Sequence, residues 1–471
     1  MDSRESFTLQ TSAPAAPTPR RPGPHALAAA AAALLAPLAA RAQMPDRNML
    51  NQYFSQGVPG YGTALGTTVM SRQEPEYDPL GIRAGDFIIR PELDESVGYN
   101  SNILGQVPAQ GSLLEETSAN LAINSDWKRD SLGAAFNVTN MQVPSFSNQN
   151  QTTWSAALGG SYQIGDDVAT LSASHLYQFI EPYGIDVASF NRPGVLYSAP
   201  IPFQVNDVRG TYAKTFGSFS LIPGFDFMNT TYGGAPVYGL NGFVPPAAVN
   251  GVVDGVPTSL GFLNHNTYEG DLTARYEYAP LRDFLAVARE QYIVYTSPNS
   301  QFGPTRNGNA IDMLVGLDYT ANGVWRYQVL GGYEIRQYYN YKSHSAPVFE
   351  GNLIWQPSGV TTVSLRGLRT IDDAVDLDVA GFIYTSGRLQ VDHEIRRNLL
   401  VTAYTAIDHA YYLSSGGGNE TFMGAGGGLT YLINRNIHLS LTYDWVDHNG
   451  QNGFGPDYLQ NVGLLTLKFA L

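Results

Sequence analysis

From Phe87 to the C-terminus, apolar and polar side chains alternate with a period of two, the pattern of β-strands with one dry face and one wet face. On the first such stretch Phe87, Ile89, Leu93, Val97 and Tyr99 share one face, while Arg90, Glu92, Asp94 and Ser96 share the other. Later stretches repeat it. Ile311, Met313, Val315, Leu317 and Tyr319 oppose Asp312, Gly316 and Asp318; Trp325, Tyr327, Val329, Tyr333 and Ile335 oppose Arg326, Gln328, Glu334 and Arg336. Ile437, Leu439, Leu441, Tyr443 and Trp445 oppose His438, Ser440, Thr442 and Asp444.

The breaks between these stretches come in two lengths. Eight are tight turns: Lys128-Arg129-Asp130, Gly165-Asp166-Asp167, Thr215-Phe216-Gly217, Ala279-Pro280-Leu281-Arg282, Thr320-Ala321-Asn322-Gly323, Gln356-Pro357-Ser358-Gly359, Arg396-Arg397-Asn398 and Asn434-Arg435-Asn436. A longer, looser connection lies between each tight turn and the next, the longest being 181–201 and 230–265. Many strands run 10 to 14 residues, against about 5–6 for globular strands and about 9–11 for a tilted strand crossing a bilayer. Aromatic residues cluster at strand ends: Trp127, Trp154, Tyr276, Tyr278, Trp325, Trp355 and Trp445. A soluble sandwich has no reason to alternate short and long connections, whereas an outer-membrane barrel does, with tight periplasmic turns, long outer loops and aromatic girdles. The fold expected is therefore all-β: a transmembrane antiparallel up-and-down β-barrel of about 18 strands, with 16 as the fallback. An even count puts both ends of the wall on the periplasmic side.

Composition agrees with that picture. Of the 471 residues only 14% are charged, aromatics reach 12% with 29 Tyr, and Cys is absent, as suits an oxidising compartment. A net charge of −14 disfavours a nucleic-acid partner. At the N-terminus Arg20-Arg21, an Ala/Leu run from Ala26 to Ala40 and an Ala40-Arg41-Ala42 site have the order of a secretory signal peptide, so residues 1–42 are expected to be removed. Four Arg and two acids go with them, taking the net charge from −14 to −16. Beyond this no 18-residue apolar stretch occurs, so any span must be β. Residues 43–85 are expected to form an extended periplasmic segment, and 86–471 the barrel.

Two segments resemble one known family. Arg72-Gln73-Glu74-Pro75-Glu76-Tyr77-Asp78-Pro79-Leu80-Gly81-Ile82-Arg83-Ala84-Gly85-Asp86-Phe87 is followed by Pro91-Glu92-Leu93 and Tyr99-Asn100-Ser101-Asn102-Ile103. Near the end stand Gly428-Leu429-Thr430-Tyr431-Leu432-Ile433-Asn434-Arg435-Asn436 and Leu439-Ser440-Leu441-Thr442-Tyr443. Both resemble the putative outer-membrane β-barrel porin family (type 2 group), and together they bracket the barrel. The resemblance implies a porin-like wall and no catalytic residue. Two features depart from the family pattern: Asn100 and Ser101 replace acids at the end of the first strand, and the chain ends in Leu471 rather than an aromatic.

Candidate chemistry lies on the wet face. It holds the acids Glu92, Asp94, Glu269, Asp271, Asp312, Asp318, Glu334, Glu350, Asp392 and Asp444 and the bases Arg90, Arg275, Arg326, Arg336 and Arg366. The expected lumen-lining set is Arg90, Glu92, Asp94, Arg275, Asp312, Asp318, Arg326, Glu334, Arg336, Arg366 and Asp444. Such walls orient a solute and set ion preference, and the excess of acid points to cations. The same residues would equally serve as salt bridges holding the barrel's shape, so both readings stand. His175, His265, His344, His393, His409, His438 and His448 are scattered, and the Asp408-His409 and Asp447-His448 neighbours point to opposite faces. No enzyme activity, cofactor or metal is therefore expected.

The function expected is passage of small polar solutes across the outer membrane of a Gram-negative cell. Two alternatives remain: an accessory barrel for exopolysaccharide export, docking a periplasmic partner through 43–85, and a structural or surface-interaction barrel with a plugged lumen. Expected partners are outer-membrane lipid and lipopolysaccharide, the barrel assembly machinery, periplasmic chaperones, and a small polar solute or polysaccharide.

Overall fold

The computed structural model describes residues 58–61, 67–185, 195–197, 199–239, 252–253, 256–297, 303–374, 379–413, 417–451 and 457–471. The expected signal peptide, its cleavage site and residues 43–57 lie outside the described residues. Eighteen antiparallel strands form the wall. The first six are β1 (Phe87–Asn100), β2 (Ser112–Ser125), β3 (Ser131–Gln142), β4 (Gln151–Ile164), β5 (Asp167–Ile180) and β6 (Ile201–Phe216). Then follow β7 (Phe219–Tyr232), β8 (His265–Ala279), β9 (Arg282–Tyr295), β10 (Gly308–Tyr319), β11 (Trp325–Tyr338) and β12 (His344–Ser358). The last six are β13 (Thr361–Asp373), β14 (Gly381–Arg396), β15 (Leu399–Tyr412), β16 (Asn419–Leu432), β17 (Ile437–Gln451) and β18 (Tyr458–Ala470).

Each strand pairs with the next, and β1 pairs with β18 from Glu92↔Ala470 to Asn100↔Val462, which closes the sheet. Closure removes the open edges that a bilayer would not tolerate. All eight tight turns fall where the sequence puts them, at one end of the barrel. The tightest follow turn chemistry: Gly165 and Gly217 sit first in their two-residue turns with φ of +64° and +65°, a conformation that favours glycine.

The seam has its own devices. The lower part of β1 extends past β18, and the short strand Ile82–Ala84 folds back on it, pairing Ile82↔Ile89 and Ala84↔Phe87. This covers backbone groups that would otherwise form a free edge. At the other end the family departures act as fasteners. The Asn102 N–H donates to Asn100 Oδ1 at 2.9 Å, the Ser101 N–H donates to Asn461 O at 2.8 Å, and the Asn461 N–H donates to Ser101 Oγ at 2.9 Å. At the terminus the Leu471 N–H reaches Pro91 O at 3.2 Å, and Phe469 stays on the exposed face opposite Leu93.

Large apolar side chains are exposed on the outer face, as a lipid solvent demands: Leu158, Leu171, Met313, Val315, Leu441 and many others. Towards the tight turns this band ends in rings, with Trp325 stacked on Trp355 (5.3 Å), Tyr319 on Tyr327 (5.1 Å) and Phe87 edge-on to Trp127 (5.5 Å). Towards the long loops the same face turns polar. There His175 Nδ1 and Asn206 Oδ1 lie 2.7 Å apart, Asn206 donates to Asn229 (3.3 Å), and Asn229 donates to Asn266 (2.7 Å).

Candidate functional site

The inner face is built from the alternate residues of each strand, and it carries three kinds of surface. The first is a set of ion-pair networks. Arg289 on β9 meets Glu269 at 3.7 Å, Asp312 at 3.2 Å and Glu350 at 3.1 Å, carboxylates from β8, β10 and β12. Lower on the same wall Arg275 bridges Asp283 (3.2 Å) and Asp318 (3.3 Å). Arg209 on β6 joins Asp207 (3.0 Å) and Asp226 (3.2 Å). At the seam Lys468 pairs with Glu92 (2.8 Å) and approaches Asp94 (4.0 Å). Nearer the long loops Arg336 binds Asp373 at 2.5 Å, and that carboxylate also accepts from the hydroxyls of Tyr295 (2.7 Å) and Tyr338 (3.0 Å). Glu334 accepts from Thr370 Oγ1 (3.1 Å) and the Ile371 N–H (2.9 Å). Most of the inner acid thus has a guanidinium, ammonium or hydroxyl partner, but carboxylates outnumber cations in these networks, so the inner wall keeps a net negative charge.

The second surface is apolar. Leu176, Val205, Phe203, Met228, Tyr232 and Ile293 on the inner faces of β5–β9 pack against Tyr197, Val256, Leu260 and Leu263 from the two longest outer connections. Within those connections Val237–Gly239 pairs with Val195–Tyr197. A further piece, 181–185, reaches much farther. Tyr183 meets Tyr458 of β18 edge-on at 5.6 Å, and Ile185 is buried among Ala374, Val379, Phe382 and Tyr384 on the β13–β14 side. Since β14 lies opposite β5 in an eighteen-strand circuit, this segment crosses the bore.

The third surface faces the chain's own N-terminal segment. Tyr61 donates to Asp207 Oδ1 at 2.5 Å, and its ring lies 4.5 Å from the Arg209 guanidinium. Burial, reinforced by the Asp207 charge, holds the Tyr61 hydroxyl far above the usual phenol range, so it keeps the proton that it donates. Here the fit is close: a Cβ on Gly159 of β4 would lie 2.1 Å from Pro59 O, and one on Gly60 would lie 1.7 Å from Ser172 Oγ. On the far side Arg326 and Gln356 donate to Thr67 O, and the Val69 N–H donates to Thr362 Oγ1 (3.0 Å). Arg72 donates to Gly359 O (2.6 Å) and pairs with Glu394. Arg435 then holds Pro75 O (2.9 Å), and His438 Nε2 lies 3.2 Å from Tyr77 O. The segment expected to extend into the periplasm therefore lies, in its described residues, along the inner wall and across the mouth at the tight-turn end.

All eleven expected lining residues lie on strands whose inner alternation includes them, but they do not form one site. Glu92 and Asp94 belong to Lys468, Arg275 and Asp318 to one another, Asp312 to Arg289, Arg336 to Asp373, and Arg326 to the N-terminal segment. Asp444 accepts from the Tyr404 hydroxyl, and Asp392 from Thr402 Oγ1 at 2.7 Å. Arg90 sits low on the same face of β1, and Arg366 stands opposite Arg388. Sequence reasoning missed Arg209, Arg289, Arg388, Lys468 and Asp373. Lys468 was recoverable, since it alternates with Leu465, Leu467 and Phe469. Arg289 was not, because Leu285 and Val287 precede it on the same inner face.

The family described as "Putative beta-barrel porin 2" matches residues 74–471, and the chain belongs to that family of outer-membrane barrels. Among solved structures, the chain is similar to OccAB3 of Acinetobacter baumannii (TM-score 0.44, 8% identity, covering 82% of this chain and 100% of that one). It is also similar to OccK1 (OpdK) of Pseudomonas aeruginosa (0.41, 8%, 81% and 99%) and to the copper transporter OprC (0.41, 8%, 83% and 81%). No curated protein matches the chain significantly. Identities this low carry no inference about cargo.

Proposed function

We propose that this barrel is a passive, non-catalytic channel for small polar solutes, narrowed at the tight-turn end by its own N-terminal segment and towards the outer loops by residues 181–185. One observation carries this reading: a closed wall of eighteen strands has an inner face studded with charge, part of which remains open to water. A wall of this size leaves an aqueous bore unless something fills it. What enters the bore here is a segment held largely by hydrogen bonds and a loop, and neither is covalently tied to the far wall. Selection would act through the width left beside them and the charge of the lining.

The test is single-channel current from the refolded full-length protein in a planar bilayer, beside a variant lacking residues 58–79. The expected result is small ohmic openings in the full chain and markedly larger ones in the deletion. Silence from both would overturn the channel and favour the second reading, a structural barrel with a closed lumen, to which the two crossing segments also point.

A further inference from the structure

β12 and β13 pair only between Phe349↔Arg369 and Ser358↔Thr361, so their upper ends, 344–348 and 370–373, part from one another. Each end keeps its other neighbour: β12 pairs with β11 up to Arg336↔His344, and β13 with β14 up to Asp373↔Gly381. The wall forks here, and the end of β13 turns into the bore. Asp373 accepts from Tyr295 at the top of β9 and from Arg336 and Tyr338 of β11. β9 and β13 are four strands apart, about 19 Å along the wall, farther than a Tyr and an Asp side chain reach together. Beyond Asp373, Arg306 Nη2 donates to Val379 O (3.2 Å), and Ala374, Val379 and Phe382 pack with Ile185 of the crossing segment.

Two side chains stand in for the missing ladder. Carried upward, the β12–β13 register sets Pro347 opposite Ile371. Pro347 has no N–H, so the one backbone bond open to that pair runs from the Ile371 N–H to Pro347 O. Both groups are taken elsewhere. The Ile371 N–H donates to Glu334 Oε2 (2.9 Å), and Pro347 O accepts from Arg369 Nε (3.1 Å). Below the fork Gly351, Gly367 and Gly387 are cross-strand neighbours. A Cβ on Gly351 or Gly387 would meet nothing nearer than 3.9 or 3.6 Å, so space does not demand glycine at either. Missing side chains weaken the strands there and let them bend.

We propose that the upper ends of β13 and β14 form a gate with two positions, which rests on the channel reading and adds its control. In the position described, Asp373 latches the strand ends across the bore. In the other the fork zips: the Ile371 N–H passes from Glu334 to Pro347 O, and 370–373 rejoin β12 and widen the outer vestibule. The backbone bond is exchanged rather than lost, so the contacts of Asp373 set the balance.

The chain has no cysteine, so Ala346→Cys with Asp372→Cys makes a single reporter pair. The continued register sets these two positions opposite one another once the fork zips, with Cβ atoms about 4.5–5.5 Å apart and close to disulfide reach. Copper-phenanthroline oxidation of the full-length barrel folded in liposomes is followed by mass spectrometry of the cross-linked peptides. Heat-modifiable gel migration verifies that each variant is folded. Slow cross-linking is expected with Asp373 present. Asp373→Asn is expected to speed it about ten-fold, as when a charge-assisted hydrogen bond is lost, and Tyr338→Phe by a smaller factor. In a planar bilayer the cross-linked barrel is expected to pass more current than the same barrel reduced. No cross-link in any background, or a rate that neither Asp373→Asn nor Tyr338→Phe changes, would overturn the gate. Equal current from the oxidised and reduced forms of a conducting barrel would overturn it too. If every form is silent while cross-linking still depends on Asp373, the channel falls and the two positions of the strand ends stand.

Discussion

Two sectors of the inner wall carry arginines and carboxylates in similar supply and use them in opposite ways. On β8–β12 the cations gather acids: Arg289 holds three carboxylates and Arg275 two. On β13–β15 the register sets Arg366 against Arg388, while Asp392 and Asp408 accept from the hydroxyls of Thr402 and Tyr384. Residue types do not separate the two sectors; pairing across strands does. The first holds the wall together, and the second leaves charge facing the bore.

The largest expected effect lies in the paired sector. Arg289→Leu strands Glu269, Asp312 and Glu350 around an apolar side chain, and loss of one partner from such a buried group costs about 3–5 kcal/mol. Urea unfolding of the liposome-folded barrel measures it, and a loss below about 1 kcal/mol would erase the distinction between the sectors. Gly159→Leu comes next. It puts a side chain where Pro59 O lies and should displace the N-terminal segment, raising conductance towards that of the 58–79 deletion while leaving the wall intact. Unchanged current would mean that the segment does not narrow the bore.

Tyr61→Phe removes one hydrogen bond to Asp207 while Arg209 still holds that carboxylate, so about 1 kcal/mol should be lost. Faster proteolysis of the N-terminal segment in the folded protein would report it. The smallest effect belongs to the unpaired sector: Arg366→Gln should change stability by no more than about 0.5 kcal/mol, with any change towards stabilisation. A large loss would show that Arg366 helps to hold the wall together.

Much of the fold was legible because a barrel in lipid obeys a local rule. Each strand must alternate and each end must turn, so the eight tight turns and the inner placement of Glu92, Asp312 or Arg366 follow from counting residues. The lead-in was not legible. Residues 67–79 are held largely through backbone carbonyls, those of Thr67, Pro75 and Tyr77, which any sequence supplies and no side-chain pattern announces. The crossing of 181–185 was equally hidden, since one buried Ile185 and one Tyr183 anchor it.

The sequence by itself determined the wall: its strand number, the ends on which its short and long connections lie, and the face on which charge resides, all set by period-two alternation against lipid. Only the tertiary structure decided which charges meet. That depends on the register between neighbouring strands and on what folds back into the bore, contacts made between residues far apart in the chain. Arg289 and Arg388 look alike in the sequence, and three carboxylates around one and another arginine beside the other separate them.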